Sequence, residues 1–379
     1  MKRFNNYVER PLSVVTSTQT ELLYKFKDFP LFFGCVDTSK DQDLLADMCW
    51  EIDRTCGIIQ LSRLIPLDIL YSEQHVDGVG KTWERYYSNF AKYISTQHLQ
   101  KVCEIGGGKG KLAKNVLQND TDIVWTIIEP NPIVKPQERL KVIKEFFNAS
   151  TDVDRDGDVD AFVMSQVFEH IYDPQQMAKQ LAKKLSIGGK VIIAYPQLKN
   201  WLRNKFTNAI NFEHTMLIDD FIPYIFNKAS LQLVDESKYE EHSIFYTFQK
   251  SDIKPKEVIL PNLYDDYKKI FKNFISYHEQ MVNDLNDKIL NANKPVYLFG
   301  AHIFSTFLFA FGLKKEIAGI LDNGDLKKGR RFYGTDFIVS SPEVLKNKGK
   351  VNIILRAGLY NEEIKSDILK NVNNEAVFW

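Results

Sequence analysis

The sequence predicts an α/β protein in which helices cover both faces of a largely parallel sheet. One observation is a glycine-rich turn between an apolar segment and an amphipathic one, at residues 102–113. Another is a series of short apolar runs that follow this turn, as buried parallel strands do. The same alternation returns in residues 295–379, which predicts a second, Rossmann-like unit at that end of the chain.

The composition is that of an ordinary globular protein. The 379 residues are enough for two or three domains, and 44% of them are hydrophobic and 26% charged. The formal net charge is zero, so no overall attraction to nucleic acid is expected. The first residues are polar, and no apolar run reaches the roughly 18 residues of a membrane span. We therefore expect a cytoplasmic protein that binds neither nucleic acid nor a membrane.

Residues 1–79 are predicted to form a small N-terminal domain. Two strand-like stretches, at 29–33 and 57–61, are separated by a polar connector. The chain has four cysteines, and none of them forms a Cys-x-x-Cys pair. Because a structural zinc site needs about four ligands, no metal is predicted.

The glycine-rich turn carries three alternate glycines, Gly106, Gly108 and Gly110, after the acidic Glu104. A dinucleotide fingerprint, G-x-G-x-x-G, would also need a small residue at Lys111. Glycines accept positive φ and let a ligand approach the backbone, and a carboxylate beside them can pair with a cationic group. The turn therefore favours a ligand that places no phosphate at the start of the following helix.

Further apolar runs are predicted to be strands of the same sheet, at residues 123–128, 142–147, 160–165 and 190–195. Helices are predicted at about 83–94 and 175–185 from their apolar spacing. The run at 123–128 ends at Glu129, and an acid at the end of a second strand commonly binds ribose hydroxyls. The domain built from these elements spans residues 80–250.

The rest of the chain divides into a connection and a second α/β unit. Residues 251–294 contain two prolines and then an apolar stripe at three- and four-residue spacing, typical of one long helix. In residues 295–379 a strand leads through Gly300 into a helix, but no spaced glycine pair follows. We therefore predict a C-terminal Rossmann-like domain for substrate binding or scaffolding, and leave open whether it binds a nucleotide.

Together these features resemble the class I S-adenosylmethionine-dependent methyltransferases, over roughly residues 80–250. The resemblance implies their Rossmann-like fold and S-adenosyl-L-methionine as cofactor. In that family the glycine turn surrounds the methionine part, the acid after the second strand binds the ribose, and later segments flank the adenine and line the far side. The matching residues are Glu104, Gly106, Gly108, Gly110, Glu129, Phe147, Asn148, Ser165 and Gln166.

The three-part chain is similar, more narrowly, to the deoxysugar C-methyltransferases and their relatives. The likeness lies in residues 56–61, in Glu213 and His214, and in 322–334 after the turn at Gly300. In that family the last histidine of a Tyr-His-Glu-His motif is the base, and the acceptor is a nucleotide-linked keto sugar. The resemblance implies His214 as general base, with Glu213 beside it to orient it or bind substrate hydroxyls.

Several departures leave the acceptor open. Asp53 stands where a cysteine would pair with Cys56, so the zinc ligands of the family are mostly absent. Asn211 replaces the tyrosine of the motif. Carbon and oxygen of the sugar are both candidates for the methylated atom, and His75 and His242 are reserve candidates for base or substrate contact. Alternatives are O- or N-methylation of a small molecule other than a sugar, and a non-catalytic binding scaffold; an oligomer is possible in each.

Overall fold

The computed structural model describes residues 1–72, 80–153 and 159–379; the reserve candidate His75 lies outside them. A seven-stranded sheet forms the centre, in the order β3-β2-β1-β4-β5-β7-β6. Numbered in chain order, its strands are β1 Lys101–Ile105, β2 Val124–Ile128, β3 Leu140–Ile143, β4 Ala161–Ser165, β5 Lys190–Pro196, β6 Leu231–Tyr239 and β7 Ser243–Lys250. The first five run parallel, and β7 is antiparallel to both of its neighbours. The predicted α/β fold class is confirmed.

Helices cover both faces of this sheet, and the parallel strands therefore carry apolar side chains on both faces. Helices Lys81–Ser95 and Lys111–Asn119 pack over one face, against side chains such as Val163 of β4. Helices Pro174–Lys184 and Ile222–Lys228 cover the other face, where alternate residues of the same strands point. A shorter helix, Leu198–Arg203, follows β5.

The start of helix Pro174–Lys184 shows how the sequence sets these boundaries. Asp173 is its N-cap, and its Oδ1 accepts a hydrogen bond from Gln176 N at 2.8 Å. Pro174 occupies the first helical position, where its missing N–H costs nothing. The loop from β4 therefore ends abruptly at residue 173, and the segment between Ser165 and Asp173 is left as a short connection at the edge of the sheet.

The N-terminal residues form a second sheet around the strand Leu44–Asp53. Its other strands are Lys2–Arg3, Thr20–Pro30, Ile59–Leu61 and Met216–Leu217. The last strand comes from the region after β5, so this sheet borrows an element from the central part of the chain. Its apolar core is continuous with one face of the central sheet. The small strands Val8–Glu9 and Arg63–Leu64 pair beside it, and helix Leu67–Leu70 leads away from it.

A 27-residue helix, Tyr264–Leu290, connects the N-terminal sheet to the C-terminal unit. Phe271 and Phe274 pack into the core of the N-terminal sheet, whereas Val282 and Leu285 pack into the C-terminal core.

None of the helices within the described ranges has the length and apolar character needed to cross a membrane.

The C-terminal unit is a parallel five-stranded sheet with short helices around it. In spatial order its strands are Val339–Ser340, Gly319–Leu321, Val296–Phe299, Asn352–Leu355 and Val377–Phe378. Its helices are Ile303–Ala310, Asn361–Asp367 and the π-helical turn Ile368–Val372. Short 3-10 turns elsewhere are Lys40–Gln42, Phe168–His170, Thr207–Ala209, Pro342–Leu345 and Gly358–Tyr360.

A buried ion pair joins the N-terminal and C-terminal parts. The two terminal nitrogens of Arg331 each donate to one oxygen of Asp43, both at 2.6 Å. Their side chains are 10% and 0% exposed. Gly334 N also donates to Asp43 at 2.8 Å, and the strand Arg331–Phe332 pairs with Cys35–Val36. The paired charges therefore fix the C-terminal unit against the N-terminal sheet.

Candidate active site

The loop after β1 follows a path that only glycine accommodates. Gly106, Gly108 and Gly110 have φ of 78°, 47° and 69°, in the left-handed region that strains other residues. A Cβ on Gly106 would lie 2.6 Å from Val167 Cγ2, and one on Gly110 would lie 2.8 Å from Val134 Cγ2. The loop thus brings bare backbone to the carboxyl edge of the sheet, where ligands of open α/β sheets bind.

Two predicted cofactor-binding acids occupy different environments. Glu129, at the end of β2, is half-buried; its carboxylate accepts from Gly108 N at 3.2 Å and from Asn131 N at 3.0 Å. Glu104 is only 2% exposed and accepts from Trp125 Nε1 at 2.8 Å. Glu129 is therefore placed beside the glycine loop, where it can meet ligand hydroxyls, whereas Glu104 ties β1 to β2. Direct cofactor contact by Glu104 stays a prediction.

Gln166, directly after Ser165 at the end of β4, has a strained backbone conformation. Gln166 has φ of 55°, uncommon for a residue other than glycine and often found at functional sites. Its amide nitrogen donates to Ser243 Oγ at 2.8 Å. Ser165 Oγ lies 2.7 Å from the Tyr86 hydroxyl, so Tyr86, which the sequence indicated only as part of a packing face, also braces this end of β4.

Phe147 and Asn148 lie in the loop that follows β3. The Phe147 ring packs against Phe162, with ring centroids 5.7 Å apart. Asn148 is exposed, and its Oδ1 accepts from Ser150 N at 2.8 Å. Because β3 is parallel to β1 and β2, this loop leaves the sheet at the same edge as the glycine loop.

Two separate segments bring Glu169, His170 and His214 together. Thr215 N donates to Glu169 O at 3.0 Å, and Thr215 Oγ1 donates to Ile171 O at 3.1 Å. These bonds attach the segment that follows β5 to the segment that follows β4. The rings of His170 and His214 are 5.3 Å apart, and one donor atom from each of the three residues lies within 4.8 Å of the others. We call these three residues the histidine cluster.

The turn that carries Glu213 and His214 is shaped by Asn211. Its side-chain oxygen accepts from Glu213 N at 2.7 Å and from His214 N at 2.8 Å. An amide in this position hydrogen-bonds its own backbone two residues on, as in an Asx turn. Asn211 therefore positions the candidate base.

Burial controls the charges at this site. Desolvation raises the pKa of Glu169 to about 8 and that of Asp219 to about 7. Desolvation also lowers the pKa of His214, and the nearby charge of Glu213 opposes this effect. Because its pKa is lowered, His214 is neutral at neutral pH, which is the form that accepts a proton or binds a metal ion.

A buried arginine from the N-terminal arm holds the candidate base segment in place. Arg10 donates to Leu61 O at 2.9 Å, to Tyr172 O at 3.1 Å and to Thr215 O at 2.5 Å. It is 9% exposed. One guanidinium thus connects the N-terminal sheet, the segment after β4 and the residue that follows His214.

The sequence did not indicate Arg10 or Tyr71 as parts of this site, and it gave Glu169 no role of its own. The Tyr71 hydroxyl lies 3.1 Å from His170 Nδ1, and Glu169 Oε1 lies 3.7 Å from His170 Nε2. The one available signal was the adjacent Glu169-His170 pair directly after a buried strand. Arg10 and Tyr71 stand in segments without a recognisable motif.

The second glycine turn, in the C-terminal unit, is bonded to the residue after the next strand. Asp322 Oδ2 accepts from Ala301 N at 2.8 Å and from Lys327 Nζ at 2.8 Å. A Cβ on Gly300 would collide with the ring of His302, which caps the following helix. These contacts tie the turn to the residue that follows the strand Gly319–Leu321.

The strand order, the glycine loop after β1 and the acid at the end of β2 together define a class I methyltransferase fold. Residues 79–242 match a family model described as a methyltransferase domain. Residues 79–242 therefore resemble a methyltransferase domain, for which S-adenosyl-L-methionine is the expected cofactor. A comparison with curated protein sequences finds no match.

Solved structures similar to the central part include methyltransferases of several kinds. Mitomycin 7-O-methyltransferase is 13% identical, with a TM-score of 0.38 over 45% of this chain and 55% of that one. A calicheamicin-biosynthesis methyltransferase in its SAH-bound form is 15% identical, with a TM-score of 0.37 over 49% and 58%. The N-methyltransferase NodS from Bradyrhizobium japonicum is 14% identical, with a TM-score of 0.34 over 45% and 98%. This chain thus covers little more than half the length of the first two proteins.

The residues at the edge of the sheet fit this cofactor. Positions 106 and 110 admit no side chain because Val167 and Val134 pack against them, which fixes the glycine loop at this edge. Glu129 holds its carboxylate beside that loop, where it accepts from Gly108 N. The narrower resemblance to deoxysugar C-methyltransferases stays a prediction.

Proposed function

We propose that the protein transfers a methyl group from S-adenosyl-L-methionine to a carbon or oxygen of an activated, nucleotide-linked sugar, with His214 as general base. The observation that carries this proposal is the position of His214. It is held by Thr215 and Asn211 next to the connection that leaves β4, at the carboxyl edge that also carries the glycine loop. The acceptor and the methyl donor can therefore meet at one edge of one sheet.

The proposed cofactor contacts follow the resemblance residue by residue. Gly106, Gly108 and Gly110 lie against the methionine part, Glu129 holds the ribose, and Phe147 with Asn148 flanks the adenine. Ser165 and Gln166 line the far side. Glu104 supports the loop from β1. The cofactor supplies an electrophilic methyl group when bound, and the protein aligns the acceptor with it and excludes water.

The chain's own chemistry in this reaction is proton removal. A neutral His214 takes a proton from an acceptor hydroxyl, or from an acidic carbon beside a carbonyl, as the new bond forms. Glu213, directly before it, orients the imidazole or binds acceptor hydroxyls. In this proposal the N-terminal domain is residues 1–79 and the methyltransferase domain is residues 80–250. Residues 251–294 form the connection to residues 295–379, which act as the C-terminal substrate or scaffold domain.

The test uses the full chain with S-adenosylmethionine and two panels of acceptors. One panel contains nucleotide-linked sugars, including keto sugars, and the other contains small hydroxyl and amino compounds without a nucleotide. We expect mass spectrometry to show one added methyl group on a nucleotide-linked sugar. Methylation confined to the second panel would overturn the sugar assignment, and S-adenosylmethionine binding without transfer to any acceptor would favour the non-catalytic scaffold.

A further inference from the structure

We infer that the histidine cluster, Glu169, His170 and His214, binds a divalent transition-metal ion, and that the bound ion competes with the acceptor proton for His214. The binding site stands on geometry alone. Its effect on turnover rests on the proposed function, because it assumes that His214 is the base.

The three donor atoms are close enough to share one ion. Each lies within 4.8 Å of the other two, so a central point lies at most about 2.8 Å from all three, against about 2.0–2.2 Å from metal to nitrogen or oxygen in zinc sites. Side-chain movements of under about 1 Å therefore complete the site. The two segments that carry the donors are already joined by the Thr215 to Glu169 hydrogen bond.

Glu169 provides an independent observation that points to a ligand. It is 1% exposed, and its Oε2 has no hydrogen-bond partner among the described residues. Its other oxygen, Oε1, lies 3.7 Å from His170 Nε2, so the carboxyl group faces the cluster. A buried carboxyl oxygen without a hydrogen-bond partner is unfavourable, and a cation between Glu169 and the two imidazoles would supply one.

The donor set selects the class of metal. Two imidazoles and one carboxylate suit zinc and its first-row neighbours, whereas magnesium and calcium prefer oxygen ligands. His170 Nδ1 is 3.1 Å from the Tyr71 hydroxyl, an outer hydrogen bond of the kind that orients metal-binding histidines. Three protein ligands leave at least one position open, which a water molecule or the acceptor can fill.

The same nitrogen of His214 cannot hold a metal ion and take a proton. When the cluster is filled, the lone pair that would receive the acceptor proton is engaged by the ion. We therefore expect zinc to suppress methyl transfer and a chelator to restore it.

The binding experiment uses the full chain, stripped with a chelator, without cofactor or acceptor. Equilibrium dialysis against zinc chloride should give one zinc ion per chain, and cobalt(II) should give a visible absorption band from a low-coordinate site. Glu169→Gln and His170→Gln should each weaken zinc binding at least about tenfold. His98→Asn, at an exposed histidine in a left-handed turn, is the control and should bind zinc as the unmodified chain does.

The outcomes separate the site from the reaction. Absence of stoichiometric zinc binding, or binding that neither cluster variant weakens, would overturn the site while leaving methyl transfer untouched. Zinc that raises turnover would overturn the competition for His214. Methyl transfer that fails in a chain with normal zinc binding would count against the proposed function alone.

Discussion

His214→Asn should lower kcat by about 10²–10⁴-fold, the range that general-base catalysis contributes. Asparagine can hydrogen-bond in place of the imidazole but does not accept a proton at neutral pH. The affinity for S-adenosylmethionine should change little, because His214 lies after β5 and outside the glycine loop. Steady-state kinetics with an acceptor from the nucleotide-sugar panel, together with calorimetry of cofactor binding, measures both quantities.

The matched control for this variant is His98→Asn, which removes an exposed histidine far along the chain from the histidine cluster. It should keep the kcat of the unmodified chain. A His214→Asn enzyme that turns over at the unmodified rate would exclude His214 as the base. A variant that loses cofactor affinity as well as kcat would show that the substitution disturbs the fold of the site.

Asp43→Ala should lower the free energy of unfolding by about 3–5 kcal/mol, since removal of one partner leaves a buried charge unpaired. The affected charge is Arg331, which is 10% exposed and makes both of its short bonds to Asp43. The measurement is denaturant unfolding followed by fluorescence and circular dichroism. If the fluorescence and circular dichroism transitions separate, the C-terminal unit no longer unfolds together with the N-terminal sheet.

A nearby exposed ion pair supplies the control. Asp37 pairs with Arg330 at 2.8 Å, and their side chains are 75% and 39% exposed. Asp37→Ala should change the free energy of unfolding by at most about 1 kcal/mol, as exposed pairs do. Equal effects of the two substitutions would contradict the role given to the buried pair.

The central sheet could be predicted from the sequence because its strands are buried on both faces and therefore read as continuous apolar runs. The strand Leu44–Asp53 was harder to predict, since Asp47 and Glu51 interrupt its apolar residues. Asp47 is buried and paired with Arg3 at 3.0 Å and Lys25 at 3.3 Å. Those partners are distant in sequence, so the pattern of the strand alone could not show that its acid would be accommodated.

In the site too, residues placed by local sequence order could be predicted, and residues placed by distant contacts could not. The glycine loop and Glu129 lie at positions fixed by local strand-turn-helix order, so spacing alone located them. Arg10 donates hydrogen bonds to carbonyls 51 to 205 positions away in sequence. Glu169 becomes part of the histidine cluster only because the fold brings His214 beside it. Contacts of that range depend on how the N-terminal sheet and the segment after β5 pack, which no local pattern encodes.

The proposed cofactor site lies at the carboxyl edge of the central sheet, where the glycine loop and Glu129 would bind S-adenosylmethionine. Calorimetric titration of the cofactor into the full chain and into Glu129→Gln tests it most directly, with Glu138→Gln, at an exposed acid in the same connection, as control. We predict one binding site per chain, at least about tenfold weaker binding in Glu129→Gln because a charge-assisted hydrogen bond is lost, and unchanged binding in the control. Absence of binding by the unmodified chain, or equal affinity in Glu129→Gln, would rule out this cofactor site.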